Sequence, residues 1–552
     1  MGKVKHSRIL SIALFLGVPL WLATPLLNQL ELIKVHTQSI AQPATVQQYP
    51  DQIFREGFAY YQQNKFQEAL MAWRLAQAIY HERDSYHAES TTLSMITIAH
   101  IAIGEYSEAI QISEPALRLA KRAQDTDLQV QILGNLGIAY EGAGQYVTAL
   151  TTYRQTLEIL EQLPEESKAL KRAHILGLMG NTYSSLGDYD RSISLYLESL
   201  EISERINDTI GQIATYGNLG TTYFQSGDAR LALDRFEDGL RLAQAEDKTS
   251  EIAYILSNMG TVYRNQGNFQ QALESSYQSL EIARDRSILD LEVDILTNLG
   301  LIHEDLGELE QAVDYYEQSL AKTQLLQNPK ATAKVLNNLG HGFYNSGRLD
   351  EAETHLRNAI TLLESLRTDL GDTDNISLFD TQIFTYNLLQ QVLIAKGDYE
   401  TALEITEAGR ARAFADLLSS RAPLLSESTL SGRVPPTLPS IKAIKEIARE
   451  QNAILVEYSL IPEDAFRVQG RQRGNVAEIH IWVVQPDGTV SFHSQPIPTQ
   501  SSKLKESVSQ LRRSLGISQS LDRGLANANS VDVEKTTEKL REFYKLLIEP
   551  IE

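Results

Sequence analysis

Asn135, Asn218, Asn258, Asn298 and Asn338 each stand two residues before a glycine in a recurring phrase. The phrase reads NLGIAYEGAGQYVTAL, NLGTTYFQSGDARLAL, NMGTVYRNQGNFQQAL, NLGLIHEDLGELEQAV and NLGHGFYNSGRLDEAE. Leu178 takes the asparagine's place once. A carboxamide both donates and accepts hydrogen bonds. A row of them could hold the backbone of an extended chain without reading its side chains. Alternatively, each amide is bonded to the next helix.

Other chemistry is sparse. The chain has no cysteine, which excludes disulfides, thiolate metal sites and cysteine nucleophiles. It contains no GxxxxGK[ST], HExxH or GxSxG motif, and no cofactor is expected. The acidic pairs Asp188/Asp190 and Glu308/Glu310 fall in turns between helices and read as solvated caps. Arg467, Arg471 and Arg473 are too few for a nucleic-acid site. His480 and His493 read as ordinary strand residues.

The chain has 552 residues, 42% of them hydrophobic, and a net charge of −21. That is too long for one core unless the chain is a repeat array. Residues 1–50 carry +3 and residues 441–552 are neutral, which leaves −24 for residues 51–440. Such a surface repels nucleic acid and anionic lipid. Residues 9–27 are uncharged and follow Lys3, Lys5 and Arg8, so residues 1–41 are expected to be a signal peptide or a membrane anchor. SIA at 39–41 has the small-x-small look of a cleavage site. The expected location is outside the cytoplasm, periplasmic or anchored facing outward, with the membrane touched only through this segment.

The second glycine of the phrase belongs to the series Asn64, Gly104, Gly144, Gly187, Gly227, Gly267, Gly307, Gly347 and Gly397, mostly 40 residues apart. One period repeated over nine units means stacked supersecondary elements. Each unit reads as two helices. The first glycine (Gly57, Gly137, Gly180, Gly220, Gly260, Gly300, Gly340) and the later alanine (Ala69, Ala149, Ala232, Ala272, Ala312, Ala352) are small where helices cross. Large residues such as Trp73, Tyr153, Tyr196, Phe236 and Tyr316 fill the space left. The second glycine ends the first helix with a left-handed residue. Thr97 and Gln390 replace the first glycine in two units.

These residues resemble the tetratricopeptide repeat over about 50–418, with longer helices than the usual unit. The resemblance implies a mainly α solenoid, a right-handed superhelix of about nine helical hairpins. It also implies that the asparagine position faces a concave groove lined by first helices. Tyr254, Arg264, Thr221, Phe224, Lys334, His341 and Tyr344 are expected on that face, and Asp294, Glu304 and Asp305 make part of it acidic. The lack of a basic cluster argues against a carboxylate clamp.

Residues 419–440 are rich in Ser and Pro and read as a linker. Residues 441–552 then read as a short helix IKAIKEIAREQ, a strand at 453–461, a hairpin at 478–497 turning at Asp487-Gly488, and helices near 501–515 and 531–548. EAGRARAFADLL, ILVEYSL and WVVQPDGTV resemble the start of a CHAT domain, a caspase-like domain that follows such arrays. The family's histidine–glycine and cysteine motifs are absent. The sole His-Gly pair, His341-Gly342, lies inside a repeat helix. A partial α/β segment leaves strand edges open. Its other half could come from a separate polypeptide, the gene product could be truncated, or the segment could pack on the array's end.

The expected function is therefore a non-catalytic scaffold that binds a protein or extended peptide segment in the groove. The alternative is the sensing or regulatory part of a CHAT cysteine protease whose catalytic half is absent from this chain, missing or encoded next door as a catalytic partner. A hydrolase of another type is a third expectation.

Overall fold

The computed structural model describes residues 48–63, 65–326, 328–369, 376–421, 440–462 and 476–496. Seven helical hairpins come first. They pair α1 (Gln48–Tyr61) with α2 (Phe66–Glu82), α3 (Tyr86–Ile103) with α4 (Tyr106–Arg122), α5 (Thr126–Gly142) with α6 (Tyr146–Leu160), and α7 (Glu165–Ser185) with α8 (Tyr189–Arg205). Next come α9 (Thr209–Ser226) with α10 (Ala229–Ala245), α11 (Thr249–Asn265) with α12 (Phe269–Arg286), and α13 (Leu289–Asp305) with α14 (Leu309–Leu326). Then follow α15 (Pro329–Asn345), α16 (Leu349–Asp369), α17 (Ile376–Ala395), α18 (Tyr399–Arg421) and α19 (Ile441–Gln451). The strands are β1 (Leu455–Pro462), β2 (Val476–Val484) and β3 (Val490–Pro496).

Two compact units divide these residues. The first holds everything up to Ser346 and residues 361–378; the second holds 347–360 and everything from Phe379. Residues 1–41, Asn64, positions 422–439, Arg467, Arg471, Arg473 and the two expected C-terminal helices lie outside the described residues. Among the described residues, no helix is long and apolar enough to cross a membrane.

In the first unit each hairpin closes on a notch and a ring. A β-carbon built on Gly220 would stand 2.6 Å from the Phe236 ring, and one on Gly180 would stand 2.7 Å from Tyr196. Gly57 meets Trp73 in the same way, Gly137 meets Tyr153 and Gly300 meets Tyr316. Each ring sits sixteen residues after its glycine, on the second helix of the same hairpin. Ala69, Ala149, Ala232 and Ala312 are fully buried in these hairpins, and Ala272 is fully buried in the Gly260 hairpin, where Ser276 takes the ring's place. In a helix glycine costs about 1 kcal/mol against alanine, and the seated ring offsets that. Thr97 departs from the pattern with its partner: Ser113 stands where the ring should be, and their hydroxyls lie 3.4 Å apart. Bulk has moved from one helix to the other.

The second glycine has positive φ throughout, for example +96° at Gly227, where an L side chain is strained. The turns leading into the next hairpin also contain left-handed residues, at Asp84, Gln124, Asn207, Asp247 and Ser287. Short polar side chains dominate there, in keeping with their tolerance of that region. Asp125, Asp188, Asp208 and Asp228 then cap the following helices, Asp228 accepting from the Leu231 N–H at 2.9 Å. First helices also touch one another directly: α3 with α5, α5 with α7, α7 with α9, α9 with α11, α11 with α13, and α13 with α15. They form one continuous layer.

In the second unit the strands make an antiparallel meander, β1-β2-β3, with Leu455 opposite Val484 and Val484 opposite Val490. The sequence pattern suggests an alternating hairpin. Instead β2 is buried on both faces, through Ile479, Ile481 and Val483 on one and His480, Trp482 and Val484 on the other. It is the central strand, and its Trp482 Nε1 donates to the Tyr399 carbonyl of α18 at 2.9 Å. Tyr399 stacks on Phe492 of β3 at 4.7 Å. Arg410 of α18 bonds Glu457 at 2.6 Å and donates to the Tyr458 carbonyl of β1. Gly488, φ +90°, makes the expected turn.

Candidate protein-binding face

The five asparagines fall into two classes. Asn135 is 1% exposed and donates to Ser94 Oγ at 3.3 Å. Asn298 is 7% exposed and donates to Ser276 Oγ at 3.4 Å. Both partners belong to the preceding repeat. Ser276 explains the second case: it replaces the crossing ring opposite Gly260, and the Asn298 amide moves into the vacated space. Asn338 is also buried. Asn218 is half-buried and Asn258 is exposed, and neither side chain is hydrogen-bonded among the described residues. The crossings before them hold the Tyr196 and Phe236 rings, as the crossing before the buried Asn338 holds Tyr316.

The other expected residues lie in the first-helix layer and mostly have partners across it. Arg264 Nε bonds Asp305 Oδ2 at 2.7 Å. His341 Nδ1 meets Glu304 Oε1 at 2.7 Å, and Asn345 donates to the same oxygen. Lys334 pairs with Asp294 at 3.5 Å, both well exposed, so that pair contributes little. Tyr254, Phe224 and Tyr344 are half-buried. Tyr254 resists ionisation through burial and the nearby Asp290 and Asp294.

Further rungs went unseen in the sequence. Thr182 Oγ1 donates to Glu141 at 2.8 Å and Ser184 Oγ to Gln225 at 2.7 Å. Four such pairs, Glu141/Thr182, Ser184/Gln225, Arg264/Asp305 and Glu304/Asn345, are separated by 41 residues, which in the last three is one 40-residue repeat plus one. That spacing was the available signal. The crossing tyrosines reach this layer too: Tyr316 donates to Glu304 at 2.8 Å and Tyr196 to Asn181.

These contacts set the face's electrostatics. Burial pushes Glu141 up to about 7, the bonds from Thr182, Ser185 and Tyr153 offsetting only part of it. Burial likewise pushes Asp290 to about 7. Glu304 is the reverse: burial raises it, but the His341, Tyr316 and Asn345 bonds win and its carboxyl is held below the usual range.

The acidic turn residues do more than face solvent. Asp188 caps its helix, as expected, while Glu308 holds His303 Nδ1 at 2.6 Å. In the second unit Gln390 stands where other units have glycine, and it belongs to the sheet contact. Its amide nitrogen lies 3.2 Å from His480 Nδ1, and its Oε1 accepts from Ser459 at 3.3 Å. His480 Nε2 meets Glu478 at 3.2 Å. Both ring nitrogens are therefore engaged, and burial lowers the imidazole's pKa. Among the described residues, no cluster of three His, Asp or Glu side chains could hold a metal ion.

A tetratricopeptide repeat model matches residues 98–162, 171–245, 251–324 and 291–365. The array is built of tetratricopeptide repeats. Human tetratricopeptide repeat protein 28 is 28% identical over 198 residues, 32% of this chain and 7% of that protein. The chain thus spans only a small fraction of the curated relatives it matches. Among solved structures, the apo quorum sensor NprR from B. thuringiensis is similar at 18% identity and a TM-score of 0.44, covering 64% of this chain and 97% of that one. Apo RapI is similar at 16% identity and a TM-score of 0.41, covering 50% and 99%.

Proposed function

We propose that the first-helix face of the repeat array is a non-catalytic docking surface for an extended segment of a partner protein. One observation carries this: Asn218 and Asn258 lie on adjacent first helices, accessible, with their amides unengaged among the described residues, while nearby Arg264 is paired with Asp305. An amide in that state can pair with a backbone N–H and C=O at no loss to the fold. Selection of displayed peptides on the full chain tests this. Selected peptides should lose at least about tenfold in affinity for Asn218→Ala/Asn258→Ala, and little for Asn135→Ala/Asn298→Ala. Equal binding to all three forms would refute the assignment. Export through residues 1–41 is part of the same proposal, tested by accessibility of the array to protease outside the cytoplasm.

A second function is favoured by the Gln390–His480–Ser459 contact, which joins the last repeat to the sheet. The sheet segment would be the regulatory portion of a CHAT-like protease. Copurification with a caspase-like partner would support it. A lone, inactive chain under all conditions would leave the scaffold function alone.

A further inference from the structure

A series of hydrogen-bonding side chains that the docking function does not use spans α12, α13 and α14. The Tyr277 hydroxyl of α12 lies 3.0 Å from the Tyr315 hydroxyl of α14. It also lies 3.4 Å from His303 Nε2 of α13, the long end of a hydrogen bond. On the other side of the ring, His303 Nδ1 meets Glu308 Oε2 at 2.6 Å. A carboxylate only accepts, so the neutral imidazole carries its proton on Nδ1 and Nε2 is an acceptor. The Tyr277 O–H therefore donates to Nε2, and its oxygen accepts from Tyr315. Burial, and then the bond to Tyr277, push the Tyr315 phenol's pKa up, which keeps it a donor. The His303 and Tyr315 rings stack with centroids 5.1 Å apart. His303 is buried, whereas Tyr277 is 43% exposed.

Another repeat shows which part of this series is ordinary. His100 stands three residues after Thr97, as His303 stands three after Gly300. Its Nδ1 meets Glu105 at 2.6 Å in the same way, but Arg74 lies 3.5 Å from its Nε2. Arg74 and Tyr277 are each five residues after their unit's alanine, Ala69 and Ala272. The histidine–glutamate pair is thus shared scaffolding. What differs is a phenol facing Nε2, with a second phenol in contact with the first. Removing an electron from a phenol makes its O–H strongly acidic, so oxidation is easiest where a base already accepts that proton. Two adjacent oxidised phenols can then join through ring carbons. Neither step needs a substrate pocket, because the oxidant takes only electrons.

We propose that Tyr277 is a site of proton-coupled oxidation by one-electron oxidants, a peroxidase haem or a high-valent metal complex, and that it ends in a covalent Tyr277–Tyr315 cross-link tying α12 to α14. One oxidant takes an electron from Tyr277 while the hydroxyl proton passes to His303 Nε2. A second oxidises Tyr315, whose proton leaves to solvent. The two phenoxyl radicals couple at carbons beside their oxygens, and the ring hydrogens there move to restore both O–H groups. In sum two electrons and two protons leave, one carbon–carbon bond forms and two ring C–H bonds break. The test oxidises the dilute full chain with photogenerated ruthenium(III) tris-bipyridyl, persulfate taking up the photoelectron, and maps tyrosine loss and cross-linked peptides by mass spectrometry. Tyr277 should be consumed ahead of Tyr49, although Tyr49 is the more exposed at 62%. The main cross-link should join 277 to 315 within one molecule and disappear in Tyr277→Phe. His303→Gln keeps a hydrogen-bonding side chain but removes the base, and should slow Tyr277 loss by at least about tenfold at unchanged helical circular dichroism. Tyrosine loss that follows exposure, with Tyr49 ahead, or cross-links without a 277–315 product, would overturn the proposal in the wild-type chain alone. An unchanged rate in a folded His303→Gln chain would overturn the role of the base.

Discussion

At the residue scale, a repeated asparagine does two jobs that its own position does not distinguish. Asn298 is drawn inward by Ser276, twenty-two residues earlier, and Asn135 by Ser94. Replacing either with alanine should remove a buried hydrogen bond and leave a serine hydroxyl unpaired, lowering stability by about 1–2 kcal/mol in urea titrations. Asn218→Ala and Asn258→Ala should stay within about 0.5 kcal/mol of wild type. Glu141 gives a pH prediction. Its pKa is about 7 in the fold against an ordinary 4.5, so the folded state binds the proton more tightly. Its contribution is complete below about pH 4.5 and is lost as pH rises through 7. Glu141→Gln should therefore melt higher than wild type at pH 8 and close to it at pH 5. Parallel pH profiles for the two proteins would refute the buried-carboxylate account.

At the element scale, the hairpin is a notch with a ring in it. Gly220→Ala should gain helix propensity yet lose more to the Phe236 ring, for a net loss of about 1–2 kcal/mol. The Thr97/Ser113 exchange makes a sharper case. Thr97→Gly alone leaves a void and Ser113→Tyr alone overfills it, so the double substitution should be less damaging than the sum of the two. Additive effects would contradict the exchange. Much of this was legible beforehand. Period, hairpins, crossing glycines and the left-handed stops follow from spacing, because each unit repeats the same local problem. The burial of Asn135 and Asn298 was not legible, since it depends on a neighbouring repeat's departures from the pattern. Gln390 was visible as an exception, but its reason, a strand ninety residues away, was not.

At the scale of the whole molecule, repeats contact only their neighbours, and the first-helix layer is tied across them by pairs one repeat apart. Those ties join α5 to α7, α7 to α9, α11 to α13 and α13 to α15, on either side of the α9–α11 step that carries Asn218 and Asn258. The chain's lack of cysteine makes the face directly measurable, because any introduced thiol is the single one present. Thr221→Cys and Thr261→Cys place a thiol beside each available asparagine, and Val147→Cys places one on the exposed side of α6. The decisive measurement is the rate of maleimide labelling of these three variants with and without a saturating selected peptide. Labelling at positions 221 and 261 should slow by at least about tenfold while position 147 is unchanged. Equal rates at 221 and 261 with and without peptide, or protection at 147 instead, would contradict a binding face on the first helices.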